Sequence, residues 1–283
     1  MIDLHTHTTA SDGWYTPTQL VDMAAEKDIK VLAITDHDTV SGIEEAKNEV
    51  KKFPQMKLIP GIEISVDWPT GEFHLLGLGL KQISSSMQDL IAGQKERREN
   101  RNKKIVQKMN ESGKLENEIT LEQLYEKYET KNLGRPHIAD FLLEQKVVKT
   151  KQKAFDLYLA NGRPFYEKKG GCNLDEAIVA IKDCGGVPVI AHPLSLYVAW
   201  GKMEETLLGL HERGVEGLEA WHPSTRMSEA ERLEQMARKL GFFVTAGSDF
   251  HGEQVRKGRR LGHTTKDIKI DDKFYFEELA PHL

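Results

Sequence analysis

The 283 residues suffice for one large α/β domain or a domain carrying an insertion, and 29% charged against 39% hydrophobic residues is the balance of a globular chain. With 39 basic and 44 acidic residues the net charge is −5, which implies no general polyanion-binding surface, and no DNA duplex is expected as a partner. The two cysteines, Cys172 and Cys184, make no disulfide framework, no apolar run reaches the roughly 18 residues of a membrane span, and the N-terminus lacks a signal peptide's regions, so a cytoplasmic chain is expected.

The first strand-like run, Met1 to His5, leads into Thr6-His7. Side chains alternate along an extended chain, so His5 and His7 point to one side and both can reach a single metal ion. Imidazole is the commonest metal ligand at neutral pH. Thr16, Pro17 and Gln19 read as N-cap, N1 and N3 of a helix whose apolar face is Leu20, Val21, Ala24 and Ala25. Val31 to Ile34 is an apolar strand ending at Thr35-Asp36-His37-Asp38, and Ser41 with Glu44 opens a second helix by the same capping logic. Lys57 to Ile62 is a third strand, delivering Glu63, and Phe73 to Leu78, containing His74, is a fourth. Such apolar runs fit buried parallel strands.

The pattern changes near Ser84. Met87 to about Lys114 reads as one long polar helix that stops near Gly113. Thr120 with Gln123 caps another, Gly134-Arg135-Pro136-His137 starts a third, and Lys151 to Leu159 makes a fourth. Residues 84–164 are therefore expected to form an all-helical insertion with a solvated charged face, and 1–83 with 165–283 a barrel domain. The β/α rhythm resumes with a helix capped by Asn173 and Glu176, a strand over Val187 to Ala191, and a helix from Lys202 to Arg213. A weaker strand, Val215 to Ala220, leads to Trp221-His222; Ser228 and Glu231 cap the next helix, and Phe242 to Ala246 ends in Gly247-Ser248-Asp249-Phe250-His251. About seven βα units point to an α/β barrel, whose chemistry sits on the loops after the strand C-termini. His37, His192, Asp249 and His251 fall there.

Six short motifs now stand in one order: His5-Thr6-His7, Thr35-Asp36-His37-Asp38, Gly61-Ile62-Glu63, His74, Ala191-His192-Pro193 and Ser248-Asp249-Phe250-His251. In that set the chain resembles the PHP (polymerase and histidinol phosphatase) superfamily of metal-dependent phosphoesterases. The resemblance implies a distorted seven-stranded (β/α)7 barrel. By it, His5, His7, Glu63 and Asp249 hold one metal; Glu63, His74 and His192 hold a second, with Glu63 bridging; Asp12, His37 and His251 hold a third. Six histidines and three carboxylates suit Mn²⁺, Zn²⁺ or Fe²⁺, with Mn²⁺ taken first; Mg²⁺ or Ca²⁺ would want a nearly all-oxygen shell. Two or three divalent ions facing three formal negative charges leave positive charge for a phosphate and a hydroxide. The expected chemistry is in-line attack on phosphorus by a metal-bridging hydroxide, with Glu63, His192, Asp249 and His251 at the reacting centre.

Within the superfamily the closest resemblance is to the nucleoside 3′,5′-bisphosphate phosphatases, some relatives of which trim RNA from the 5′ end. The cue is the insertion, with Gly134-Arg135-Pro136-His137 and Gly162-Arg163-Pro164-Phe165-Tyr166. Arg135 sits at a helix start, where free N–H groups favour an anion, and arginine grips phosphate as a fork. The expectation is an enzyme that removes the 3′-phosphate of a nucleoside 3′,5′-bisphosphate. Arg135 and Arg163 hold the second phosphate, and His137 and His222 meet the substrate. The alternatives are a 5′→3′ exoribonuclease on short RNA, a histidinol-phosphate phosphatase and a non-catalytic interaction module. The implied partner is a small phosphorylated nucleotide or short RNA, with no obligatory protein partner. Asp36 and Asp38 flank His37 and are expected to orient it. Arg256, Lys257, Arg259 and Arg260 read as a solvated basic loop, with a second phosphate anchor as its alternative.

Overall fold

The computed structural model describes residues 1–128, 133–168 and 170–283. They form two compact units, 1–92 with 171–283, and 93–170. These boundaries fall later than the sequence places them, after 83 and after 164. Met87 and Leu90, in the first turns of the long helix, are buried in the core of the first unit. At the other end Phe165 is buried in the core of the second, where Lys108 Nζ donates to the Tyr166 carbonyl at 2.9 Å. The expected insertion also includes residues 129–132, which lie outside the described residues.

In chain order the elements are β1 (Ile2–Asp3), α1 (Pro17–Glu26), β2 (Val31–Ile34), α2 (Ile43–Val50), β3 (Lys57–Val66), β4 (Phe73–Leu78) and α3 (Ser85–Glu111). Then come α4 (Leu121–Lys127), α5 (Arg135–Glu144) and α6 (Lys151–Ala154), the last running on as a wider helical turn over Phe155–Leu159. The chain ends with α7 (Leu174–Asp183), β5 (Val187–Ile190), α8 (Trp200–Glu212), β6 (Gly217–Trp221), α9 (Met227–Leu240) and β7 (Phe243–Ala246), followed by short helical turns.

Among the described residues seven strands pair in sequence order. All neighbours are parallel except β4, which runs antiparallel to both β3 and β5. Beyond β1, Thr6 bridges Phe250, and the His7 N–H donates to the Phe250 carbonyl at 2.9 Å, so the first and last strands meet and the sheet nearly closes into a barrel. The reversal of β4 matters to the site. A parallel strand delivers its loop residues from its C-terminal end, whereas β4 delivers His74 from its start, where it pairs with Ser65 of β3. The main core packs strand residues such as Ile62, Leu76 and Val244 against Ile181, Met203 and Leu233 of the helices. A second cluster sets Leu20, Val21 and Ala46 of α1 and α2 around Phe250.

The capping box at Thr16 and Gln19 forms, as does the one at Thr120 and Gln123. Two expected caps do not. The N-cap of α2 is Gly42, because Ser41 sits in a turn where its N–H donates to Thr39 Oγ1. Helix α9 starts at Met227, because Glu229 reaches back to the Arg226 N–H at 2.7 Å. The second unit is all helical among its described residues. The face of α3 is not wholly solvated: Asn102 is fully buried and donates to the Leu133 carbonyl at 2.8 Å. No helix among the described residues is long and apolar enough to cross a membrane.

Candidate metal centre

The strand ends of the first unit bring all nine expected ligands into four overlapping groups: His5, His7 and Asp249; His5, Glu63 and His192; His37, Glu63 and His74; and His7, Asp12, His37 and His251. Within each group the ligand atoms lie within 4.8 Å of one another. His5, His7, Glu63, Asp249 and His251 are buried and form the floor. Asp12, exposed by 41%, with His37, His74 and His192 at 10–12%, forms the open edge.

Backbone strain aims two of these side chains. His192 has φ 28° and Asp249 φ 48°, a left-handed region that residues with a Cβ seldom enter. Gly247 sits where an added Cβ would lie 2.3 Å from His5 Cβ and 2.6 Å from Glu219 Oε1, so the β7 loop can pass beneath His5 only with glycine there. Asp36 accepts from the Thr8 N–H, Thr8 Oγ1 and Ser11 Oγ, while Asp38 accepts from Ser65 N–H and Oγ. Their carboxylates thus anchor the backbone on either side of His37.

Glu63 is the hub. Its Oε1 lies 2.9 Å from both His74 Nδ1 and His192 Nε2, and its Oε2 lies 3.4, 3.2 and 3.0 Å from nitrogens of His5, His7 and His37. Yet Glu63 Oε2, His7 Nδ1 and His251 Nε2 are buried and make no hydrogen bond among the described residues. Nε2 of His5 and Nε2 of His7 stand 3.1 Å apart. Unpaired buried donors and acceptors cost about 1–3 kcal/mol each, so converging lone pairs of this kind fit divalent cations between them. The donor set of imidazoles with a few carboxylates suits a transition metal.

Charge follows the same geometry. Burial alone would depress the His5 imidazole, but Glu219, Glu63 and Asp249 outweigh it and hold its pKa well above the ordinary value. Burial likewise works against the His251 imidazolium, and Asp12 and Asp249 overcome it, raising the pKa to about 9. Burial would raise the Glu63 carboxyl, yet the imidazoles of His37, His74 and His5 push it well below the usual range. Without metal, therefore, His5 and His251 carry protons near neutral pH, and a metal must displace them. Metal uptake at pH 7.5 should release roughly one to two protons per chain. Calorimetry in two buffers of different ionisation enthalpy would show it as a buffer-dependent heat; identical heats would contradict this protonation state.

One buried carboxylate here was not expected from the sequence. Glu219, on β6, accepts from His5 Nδ1 at 2.9 Å and from the His192 N–H at 2.8 Å. It thereby fixes the His5 tautomer, leaving Nε2 free to ligate, and holds the strained His192 turn. His192 is held further by Ser195 Oγ, 2.9 Å from its Nδ1. His222 stands with the nine but is 2% exposed; Nε2 lies 3.2 Å from Asp249 Oδ2 and Nδ1 lies 2.6 Å from Ser224 Oγ. With both nitrogens engaged it supports Asp249 and offers no open face, contrary to the expected substrate contact. Arg135, His137 and Arg163 belong to the second unit. There His137 Nδ1 accepts the Gly134 N–H and completes the start of α5, Arg135 lies 5.9 Å from the centroid of the Tyr166 ring, and Arg163 is an exposed turn residue.

A family model described as the PHP domain matches residues 3–154. The chain is 34% identical to the 5′-3′ exoribonuclease Rnm of Salmonella typhimurium, over 92% of this chain and 88% of that one. It is 30% identical to the 3′,5′-nucleoside bisphosphate phosphatase of Chromobacterium violaceum, over 93% and 91%. A crystal structure from Bifidobacterium adolescentis, provisionally described as a metal-dependent phosphoesterase, superposes with a TM-score of 0.82 at 30% identity, over 98% of this chain and 95% of that one.

Proposed function

The chain belongs to the PHP domain family, and from that premise we propose that its substrate is a nucleoside 3′,5′-bisphosphate whose 3′-phosphate it removes. Membership makes it a metal-dependent phosphoesterase, and a purely non-catalytic module is set aside. The observation that carries the reading is the complete nine-residue cluster in a chain similar over nearly its whole length to a bisphosphate phosphatase. A second reading, cleavage of short RNA from the 5′ end, is favoured by similarity to the exoribonuclease. The two share one chemistry. Releasing a 5′-mononucleotide from RNA breaks the bond between phosphorus and the 3′-oxygen, as removing a 3′-phosphate does; they differ in what else hangs from phosphorus.

In this reading His5, His7, Glu63 and Asp249 hold one ion, Glu63, His74 and His192 a second, and Asp12, His37 and His251 a third, with Mn²⁺ first among the candidates. Bound ions would supply Lewis-acid stabilisation of the phosphoryl oxygens and a water of lowered pKa. The protein's own work is orientation: Glu219 keeps the His5 proton on Nδ1, and Ser195 and Glu219 together fix His192. Arg135 and Arg163 serve as cationic contacts for the phosphate that is kept. Each Arg→Ala should then lower kcat/KM on the bisphosphate by about tenfold or more and leave a simple phosphomonoester nearly untouched. Equal loss on both would reject that role.

The test of substrate is kcat/KM on an adenosine 3′,5′-bisphosphate and on a 5′-phosphorylated dinucleotide, side by side. A higher value on the bisphosphate supports the first reading. A much higher value on the dinucleotide replaces it with the second.

A further inference from the structure

The loop after His251 does not behave as a solvated basic tail. Gly252 and Gly258 adopt φ of 95° and 81°, and the Val255 and Arg256 N–H groups both donate to the Gly252 carbonyl. This tight turn carries Arg256 back over Asp249. Nη1 of Arg256 and Nη1 of Arg259 both donate to one oxygen, Asp249 Oδ2. The other oxygen, Oδ1, faces the imidazoles, 3.2 Å from His7 Nε2 and 3.2 Å from His251 Nδ1.

We propose that Arg256 contacts the phosphoryl group undergoing hydrolysis and that Arg259 is the residue positioning Asp249; the proposal rests on the phosphoesterase reading. Asp249 cannot neutralise two guanidiniums through Oδ2 while giving Oδ1 to a cation. Positive charges gathered beside divalent ions at a nearly buried carboxylate repel one another unless an anion joins them. A phosphate on the ions supplies that anion. The two arginines differ in what they can offer it. Arg259 is 17% exposed and its Nη1 also donates to the carbonyls of Ser248 and Asp249. Arg256 is 38% exposed and, among the described residues, its hydrogen bond runs through Nη1 alone. The rest of its planar fork is available to phosphate oxygens. The contact is to the phosphate being cleaved, so it serves every phosphoester, unlike a pocket for a retained phosphate.

The test uses Mn²⁺-loaded wild type, Arg256→Ala, Arg256→Lys and Lys257→Ala, the last removing an exposed charge from the same turn. Metal content is measured by elemental analysis, inorganic phosphate binding by calorimetry, and kcat/KM on p-nitrophenyl phosphate and on a nucleoside bisphosphate. Arg256→Ala should keep its metal, bind phosphate about ten- to a hundredfold more weakly, and lose kcat/KM to a similar degree on both substrates. Arg256→Lys should recover part of the binding, and Lys257→Ala should match wild type. Phosphate affinity in Arg256→Ala equal to wild type overturns the contact. Loss of metal from Arg256→Ala overturns it too, by making Arg256 a second holder of Asp249. A wild type that binds metal and phosphate but hydrolyses neither substrate rejects the phosphoesterase reading, while the binding arm still decides Arg256.

Discussion

Replacing Glu63 by alanine should remove most of the bound metal and cut kcat/KM on any phosphoester by about a thousandfold or more, equivalent to ~4 kcal/mol of transition-state stabilisation. The size follows from geometry. Glu63 is 1% exposed, and its two oxygens stand within 3.4 Å of nitrogens from His5, His7, His37, His74 and His192. No other carboxylate among the described residues lies in two of the four ligand groups. Removing it takes away the carboxylate shared by His37, His74 and His192 and leaves His5 and His7 with Asp249 between them. Elemental analysis after growth with added Mn²⁺ checks the first part and steady-state kinetics the second. A thermal melt in chelator separates metal loss from misfolding. Full metal content in a folded Glu63→Ala protein would show that Glu63 is not the bridge.

Glu219→Ala should weaken metal binding by about 10- to 100-fold although Glu219 is assigned to no ion. Its 1% exposed carboxylate accepts one hydrogen bond from a side chain just beyond β1 and one from the backbone after β5. Truncation leaves the His5 Nδ1 proton and the His192 N–H unpaired in a buried place, at about 1–3 kcal/mol each. The diagnostic variant is Glu219→Gln, which fills the same space. Its amide has one acceptor oxygen for two donors, so its NH₂ must face either His192 N–H or His5 Nδ1. A backbone N–H can only donate whereas an imidazole can change tautomer, so the second arrangement holds and His5 moves its proton to Nε2, the atom that should ligate. The Glu219→Gln protein should therefore bind metal nearly as poorly as the Glu219→Ala protein. Near-wild-type metal affinity in Glu219→Gln, measured by competition with a chelating dye, would reduce Glu219 to a packing role.

The ligands were legible because they are chemically conspicuous and local: His5-Thr6-His7 declares two imidazoles on one side of a strand, and His37, Glu63, His192, Asp249 and His251 follow apolar runs. Glu219 was hidden for the opposite reason. It lies inside the weakest strand pattern, and its partners are 214 and 27 residues away. A carboxylate at an inward position of a buried strand was the available signal. His74 precedes its apolar run because β4 is reversed, and strand direction leaves no trace in composition. The basic run at 256–260 looked like surface because charge alone does not tell that two glycines with positive φ fold Arg256 back onto Asp249. His222 was placed at the right end of the barrel, but sequence position could not tell that its ring is enclosed.

The most direct measurement takes purified protein, strips it with chelator, and follows phosphate release from adenosine 3′,5′-bisphosphate before and after Mn²⁺ is returned. Stripped protein should be inactive, and activity should return with the second ion bound per chain, yielding adenosine 5′-monophosphate. Phosphate release that survives complete stripping, or none at full metal occupancy from this substrate, from a 5′-phosphorylated dinucleotide or from p-nitrophenyl phosphate, would contradict a metal-dependent phosphoesterase built on His5, His7, Glu63 and their neighbours.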